Sequence, residues 1–308
     1  MKKNKKMLII LIGVLFLTTG CTKTLVDENK KAVTYKETGQ TLNENILCQP
    51  TNKEVIELYK KNNVNTEKLV ECKNFKVTSG GYEGLWTSIF VKPLAWLIIQ
   101  LGLLIKNYGL SIIIVSLLIR VATYPITKKT AMQSENLKKA QPEIAKIEKK
   151  YANKPQDDKD VMMMKTQETM AVYKKYNINP MSGCIFSMLQ IPVFFAFLEA
   201  VNRIPALFEG KFLGLDLGTT PLVALSKGNY AYIILIILII GTTYLSFKLN
   251  QTASSPDQEK QMKFMTRFMI IFITIASFSL PTAIALYWIA SSLFTIFQNL
   301  MVKREKKK

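Results

Sequence analysis

The chain has 308 residues, 49% of them hydrophobic, and a formal net charge of +19 from 41 Lys and Arg against 22 Asp and Glu. That combination fits neither an ordinary soluble domain nor a disordered chain, and points to apolar blocks joined by basic connectors. Histidine is absent, which excludes histidine-dependent triads, His-ligated zinc and imidazole general bases.

The N-terminus, MKKNKKMLIILIGVLFLTTGC, has four lysines, an apolar core from Met7 to Leu17 and small residues running into Cys21. Residues 1–20 read as a secretory signal. The cysteine after small residues resembles the bacterial lipobox, which implies lipidation of Cys21 with fatty acyl chains of the palmitate kind. Thr18 departs from that pattern, since Leu, Val or Ile is commoner three residues before the cysteine. An uncleaved anchor and a non-lipidated signal stay open.

Residues 21–81 form a polar segment that the signal would place outside the cell; ten lysines and nine acids lie between Thr22 and Val91. It carries too little apolar material for much of a core, so a small outward segment or tether is expected. Cys48 and Cys72 lie within it, where an oxidising exterior permits a disulfide; two free thiols fit equally. Cys184 sits in an apolar run and reads as a small packing residue.

Residues 82–108 mix Trp86, Phe90 and Trp96 with Lys92 and Lys106, which suits a helix lying along a membrane interface. A first span follows at 109–126, with Pro125 limiting its end. Residues 127–179 hold twelve lysines and seven acids, with apolar positions at helical spacing on both sides of NKPQDD. They predict a cytosolic hairpin of helices at 128–152 and 157–176, the second capped by Asp157 or Asp158.

Further spans are expected at 180–201, 230–250, 264–280 and 281–301, the last two parted only by SLPT, with an outer loop at 202–229 and an inner one at 251–263. Each run approaches the roughly 20 residues needed to cross hydrocarbon. The charges orient them. Hairpin, inner loop and the basic tail 302–308 all fall inside when the processed N-terminus is outside, and five spans satisfy the positive-inside rule throughout.

The first span contains Arg120, about 15 Å below its outer end at the helical rise. A guanidinium stays protonated, and centring one in a bilayer costs roughly 3 kcal/mol or more. Ser116, Thr123 and Tyr124 share its helix face. A structural ion pair would need an acid at that depth, and the spans offer only Glu199, at the outer end of the second. Water in a cavity among the spans is the cheaper partner. Candidate walls are Gln190 and Pro192 in the second span, Thr242, Thr243 and Ser246 in the third, and Tyr287, Trp288, Ser291, Ser292 and Gln298 in the fifth. Small polar residues in membrane helices more often bond across helices than touch a substrate. In the hairpin, Met162, Met163, Met164 and Met170 either offer an adaptable apolar surface or pack the two helices together.

Three stretches carry a family resemblance: SLLIRVATYPITKKTAMQS, NINPMSGCIFSMLQIPVFFAFLEAV and LPTAIALYWIASSLFTIFQN. From about Leu85 to Arg304 the chain resembles the YidC membrane protein insertases, in their Gram-positive lipoprotein form. The resemblance implies an all-α polytopic protein of five transmembrane helices around a hydrophilic groove, with a cytosolic hairpin and an outer interfacial helix. It implies that Arg120 is the groove arginine, Ser116 a hydroxyl position beside it, and Tyr287 with Trp288 the aromatic pair that substrates pass. Ser246 stands where many relatives carry glutamine, so that wall is less polar.

The implied activity is insertion of nascent membrane proteins: the groove admits a hydrophilic, often acidic segment while the apolar substrate helix partitions into lipid. This is not an enzyme reaction. No cofactor, nucleotide, metal or DNA is implied, and there is no phosphate-binding loop. Membrane lipids are expected partners, with the Sec translocon and the ribosome as further ones, the latter weakened by a short basic tail. The expected place is the bacterial cell membrane, with a lipid-anchored outer N-terminus and a cytoplasmic C-terminus. From the residues alone, a small-solute transporter or channel and a non-inserting assembly scaffold beside the translocon are the alternatives. The first is opposed by the lack of an inverted repeat or split spans.

Overall fold

The computed structural model describes residues 22–155, 158–179, 182–250 and 256–305. The signal, Cys21 and Asp157 lie outside the described residues, as does the side chain of Cys184. The architecture is mostly helical, as the sequence leads one to expect. Two short strands, β1 (Thr34–Tyr35) and β2 (Gln40–Thr41), pair antiparallel. Helix α1 (Lys53–Lys61) follows, then α2 (Gly84–Ile105), which includes a π-helical turn at Thr87–Val91. Next come α3 (Tyr108–Tyr151), α4 (Lys159–Lys175), α5 (Ser182–Asn202) and the short α6 (Pro205–Phe208). A second hairpin, β3 (Lys211–Phe212) and β4 (Leu215–Asp216), leads to α7 (Pro221–Ser226). The chain ends in α8 (Tyr232–Asn250), α9 (Pro256–Ser279) and α10 (Thr282–Glu305).

By length and composition, four helices among the described residues can cross a membrane: α2, α3, α8 and α10. α2, expected to lie along a membrane interface, is thus also long and apolar enough to be a span. Pro125 does not end a helix. α3 runs 44 residues through both Pro125 and Pro142, so the first hairpin helix is its direct continuation. A proline inside a helix removes one backbone bond at a cost of about 3 kcal/mol, which a long helix with packed flanks on both sides absorbs. α9 already covers 256–263, so most of the expected inner loop is helical backbone.

The chain divides into two compact units. One comprises the residues up to Ile119, Met188–Ile239 and Ile275–Ser291; the other Arg120–Ser187, Ile240–Thr274 and Ser292–Lys308. In the first, the core joins Ile98 and Ile99 of α2, Ile112 and Val115 of α3, Phe197 and Val201 of α5, and Ala283 and Ile284 of α10. α2 and the start of α3 approach closely, and a Cβ on Gly102 would overlap the Tyr108 ring. Ser111 Oγ closes the corner by donating to Ile98 O at 2.5 Å.

The polar N-terminal segment is more ordered than its composition suggests. Leu25, Tyr35, Leu42, Ile46, Val55 and Tyr59 form a core of their own, while Leu47, Cys48, Cys72 and Phe75 join the main one. Cys48 and Cys72 are disulfide-bonded, with Cα atoms 4.8 Å apart. The segment is docked onto the loop after α5: Asn43 Nδ2 donates to Asn202 O (2.7 Å), Leu47 N to Arg203 O (2.8 Å), and Thr51 N and Asn52 N to Glu209 Oε1 (2.8 Å each). The core of this segment is small, in keeping with its few apolar residues, and docking onto the chain after α5 adds to it.

In the second unit, α4 and the distal part of α3 pack through Ala140, Ile144 and Val172. The Asp158 side chain caps α4 by accepting from Asp160 N at 2.9 Å.

Candidate functional site

The residues around Arg120 belong to the second unit, where α3 continues past its apolar first half. Arg120 is half-buried, as are Thr123 and Tyr124. The Thr123 hydroxyl donates back to Arg120 O at 3.2 Å. Below them α3 is fastened to α10 by three contacts. The Tyr124 ring meets Phe294 edge-on, with centroids 6.5 Å apart. The buried Thr127 hydroxyl donates to Tyr124 O (3.1 Å) and accepts from Gln298 Nε2 (2.8 Å). Lys128 pairs with Glu305 at 2.9 Å. Gln298 is thus a helix-to-helix bond and not a free wall. Thr127 and Phe294 were not singled out from the sequence, and only their spacing from Tyr124 and Gln298 could have suggested them.

The remaining expected residues separate by burial. Ser116 is fully buried, and its hydroxyl donates to Ile112 O of its own helix at 2.6 Å. Tyr287 is buried as well, stacked on Phe197 with centroids 4.1 Å apart and 23° between planes. Its neighbour Trp288 is half-buried and meets Phe194 edge-on at 5.8 Å. Gln190 and Ser246 are half-buried, Thr242 and Thr243 buried. The hairpin methionines do not pack its helices together. Met162, Met163, Met164 and Met170 are 42 to 55% exposed, and the helix contact is made without them. Ion pairs assist it: Lys175 with Glu143 (2.7 Å) and Lys150 with Glu168 (2.6 Å), each carboxylate also accepting from a tyrosine. Those partners hold both carboxyls below the usual carboxylate range.

Glu199, the one acid the spans offered as a structural counter-ion, is engaged within the first unit. Its Oε1 lies 3.2 Å from Arg203 Nη1, one turn on, and its Oε2 accepts from Trp86 Nε1 at 2.9 Å. Arg203, 2% exposed, also pairs with Glu83 and donates through Nε to Asn45 O at 2.5 Å. Glu83 in turn holds the fully buried Lys92 at 2.9 Å, whose Nζ also donates to Ser79 O and Gly81 O. Burial alone would raise the Glu83 carboxyl, but hydrogen bonds and charge from Lys92 and Arg203 outweigh it and hold it below its ordinary 4.5. Sequence reasoning missed this network, although the Glu199–Arg203 spacing of one helical turn was readable.

Among the described residues no group of His, Cys, Asp and Glu could hold a metal ion.

The family model for the 60Kd inner membrane protein matches residues 100–308. A membrane protein insertase YidC of Oceanobacillus iheyensis is 32% identical over 224 residues, covering 72% of this chain and 85% of that one. The membrane protein insertase MisCA of Bacillus subtilis is 35% identical over 219 residues, covering 71% and 79%. A YidC of Alkalihalophilus pseudofirmus reaches 36% over 219 residues, covering 70% and 81%. Among solved structures, an active YidC insertase crystal structure with its first transmembrane domain resolved aligns with a TM-score of 0.45 and 20% identity. That match covers 79% of this chain and spans about half, 51%, of the other.

Proposed function

Because the chain belongs to the 60Kd inner membrane protein family, the YidC insertases, we propose that it inserts newly made membrane proteins, with Arg120 as the charge that admits their hydrophilic segments. The observation that carries the role of Arg120 is its half-buried position on α3, beside Thr123 and Tyr124 and above a firmly bonded α3–α10 contact. The part of the Arg120 side chain that stays accessible favours water over hydrocarbon, which would cost roughly 3 kcal/mol or more there. A hydrated space that solvates Arg120 also spares an incoming polar segment full desolvation, and the fixed charge attracts acidic ones.

The substrate's apolar helix supplies the driving force as it enters lipid; the protein need break no covalent bond and bind no cofactor. Within the second unit Ser246, half-buried like Arg120, Thr123 and Tyr124, is a further candidate to face substrate, and in the first unit the half-buried Gln190 and Trp288 are candidates of their own. Ser116 and Tyr287 support those helices from within the packed side. The exposed Met162, Met163, Met164 and Met170 receive apolar substrate segments on the cytosolic side.

The protein is a multi-pass membrane protein. We place residues 22–81 outside, the hairpin inside, and five spans at 109–126, 180–201, 230–250, 264–280 and 281–301, with residues 82–108 at the outer interface. Lipidation at Cys21 would tether the N-terminus. Contact with the Sec translocon or the ribosome would be an addition to this activity rather than a condition of it.

Reconstitution into liposomes with a single-span substrate bearing an acidic outer tail tests the reading. Insertion is expected without nucleotide, and Arg120→Ala should slow it about tenfold, the ~1.4 kcal/mol of a partly screened charge interaction. Undiminished insertion by that variant would remove the electrostatic role. Solute flux without insertion would replace the insertase reading by a transporter.

A further inference from the structure

An open recess of about 620 Å³ lies in the first unit, where the end of the N-terminal segment meets α2. Lys73, Asn74, Lys76, Ser79, Trp96 and Gln100 are among its lining, and no acid is. We infer that this recess holds the phosphodiester headgroup of an anionic phospholipid, whose acyl chains lie along the outward face of α2.

Three observations carry this. The donors suit a phosphodiester: two ammonium groups, the Asn74 and Gln100 amides and the Trp96 indole N–H all belong to lining residues. The acid beside them, Glu71, makes an exposed pair with Lys73 at 2.8 Å, both side chains more than half accessible. Such a pair contributes little, so Lys73 can turn to a phosphate.

The recess is also pre-formed. Cys72 is bonded to Cys48, which fixes the turn carrying Lys73 and Asn74. Lys92 Nζ holds Ser79 O at 2.8 Å and Gly81 O at 2.5 Å, which fixes the strand of chain carrying Lys76 against α2. The backbone carrying the donors is therefore fixed, and a headgroup has only to draw Lys73 and the Asn74 amide away from the exposed Glu71 carboxylate.

The surroundings, finally, select a lipid over a soluble anion. The exposed face of α2 beside the recess is apolar: Leu85, Ile89, Phe90, Trp96, Leu103 and Leu104 are all exposed. Cations at one edge of a long apolar face match the headgroup and the chains of one phospholipid together. With residues 22–81 outside, that lipid belongs to the outer leaflet.

Native mass spectrometry of the full chain, with phosphatidylglycerol or phosphatidylcholine added to the detergent, tests the assignment without reference to insertion, so it stands or falls separately from the function proposed above. Phosphatidylglycerol should be retained in preference. Lys73→Gln with Lys76→Gln should weaken that retention about twenty-fivefold, roughly fivefold per lysine at a charged lipid surface. Lys73→Arg with Lys76→Arg should preserve it, and neutralising the exposed Lys60 and Lys61 of α1 should leave it unchanged. Thermal unfolding of each variant checks that the fold is intact. Equal retention of the two lipids, equal loss in the Lys60 and Lys61 variant, undiminished retention in the Lys73 and Lys76 variant, or displacement by millimolar inorganic phosphate would each overturn the inference.

Discussion

Two arginines, one in each unit, sit under opposite conditions. Arg203 is 2% exposed and surrounded by Glu199, Glu83 and the Asn45 carbonyl. Arg120 is half-buried, on a helix face it shares with Thr123 and Tyr124. Neither can shed its charge. The first is taken wholly out of solvent and is provided with carboxylates; the second retains accessible surface. Burial, and not residue type, is where the two arginines differ, and the substrate role proposed for Arg120 rests on its accessible part.

The strongest way to break this comparison is to remove each charge in turn. Arg203→Met leaves Glu83 and Glu199 without their shared guanidinium, and should destabilise the first unit by about 3–5 kcal/mol, the range for one partner lost from a buried pair. Arg120→Met should destabilise by less than that, since part of the Arg120 side chain stays accessible whereas Arg203 is wholly buried. Unfolding followed by tryptophan fluorescence in detergent reports the difference, because Trp86 is bonded into the Arg203 network. Equal losses in the two variants would end the distinction.

The next effect concerns what holds that network in place. The Cys48–Cys72 bridge closes a loop of 24 residues' separation, worth about 3 kcal/mol if it acts mainly on the unfolded chain. Replacing both cysteines by serine should expose residues 22–81 to proteases before the rest of the chain, and leave the hairpin ion pairs untouched. Simultaneous digestion of the hairpin would show that the two units unfold together.

A milder perturbation is pH. The Glu83 carboxyl is depressed below 4.5 in the folded protein. Its contribution is therefore fully present above 4.5, and disappears as pH falls through the lower folded value. Thermal stability should be flat from pH 7 to about 5 on this account and fall below it, and Glu83→Gln should reduce that acid-side drop, leaving the part due to Glu143 and Glu168. A drop undiminished in Glu83→Gln would assign it wholly to other carboxylates.

What could be read from the sequence follows from how local each cause is. Long apolar runs such as YIILIILII within α8 or the stretch before Arg120 announce helices by themselves, and the charges between them are local too. Pro125 misled because its cost is one backbone bond, whereas the helix beyond it is kept by partners on α10: Phe294, Gln298 and Glu305. The N-terminal core was illegible for the same reason at longer range. Its apolar residues follow no period, and Arg203 reaches Asn45 across 158 positions. At the candidate site, the residue types were visible but not their burial. Ser116 and Tyr287 share the sequence character of groove residues and lie within packed surfaces.

The smallest expected effect bears on the receiving surface. Met162, Met163, Met164 and Met170 are exposed, and the hairpin's contact is built from Ala140, Ile144 and Val172 with its ion pairs. Replacing all four methionines by serine should therefore alter hairpin stability by no more than about 0.5 kcal/mol, the usual bound for surface sites. It should nonetheless reduce crosslinking of the hairpin to an apolar nascent segment, because serine offers neither the area nor the polarisable thioether. Val172→Ala should do the reverse, loosening the hairpin while sparing its outer surface. If the serine variant unfolds the hairpin instead, the methionines are packing residues and the cytosolic half of the proposed path loses its surface, while the role given to Arg120 is unaffected.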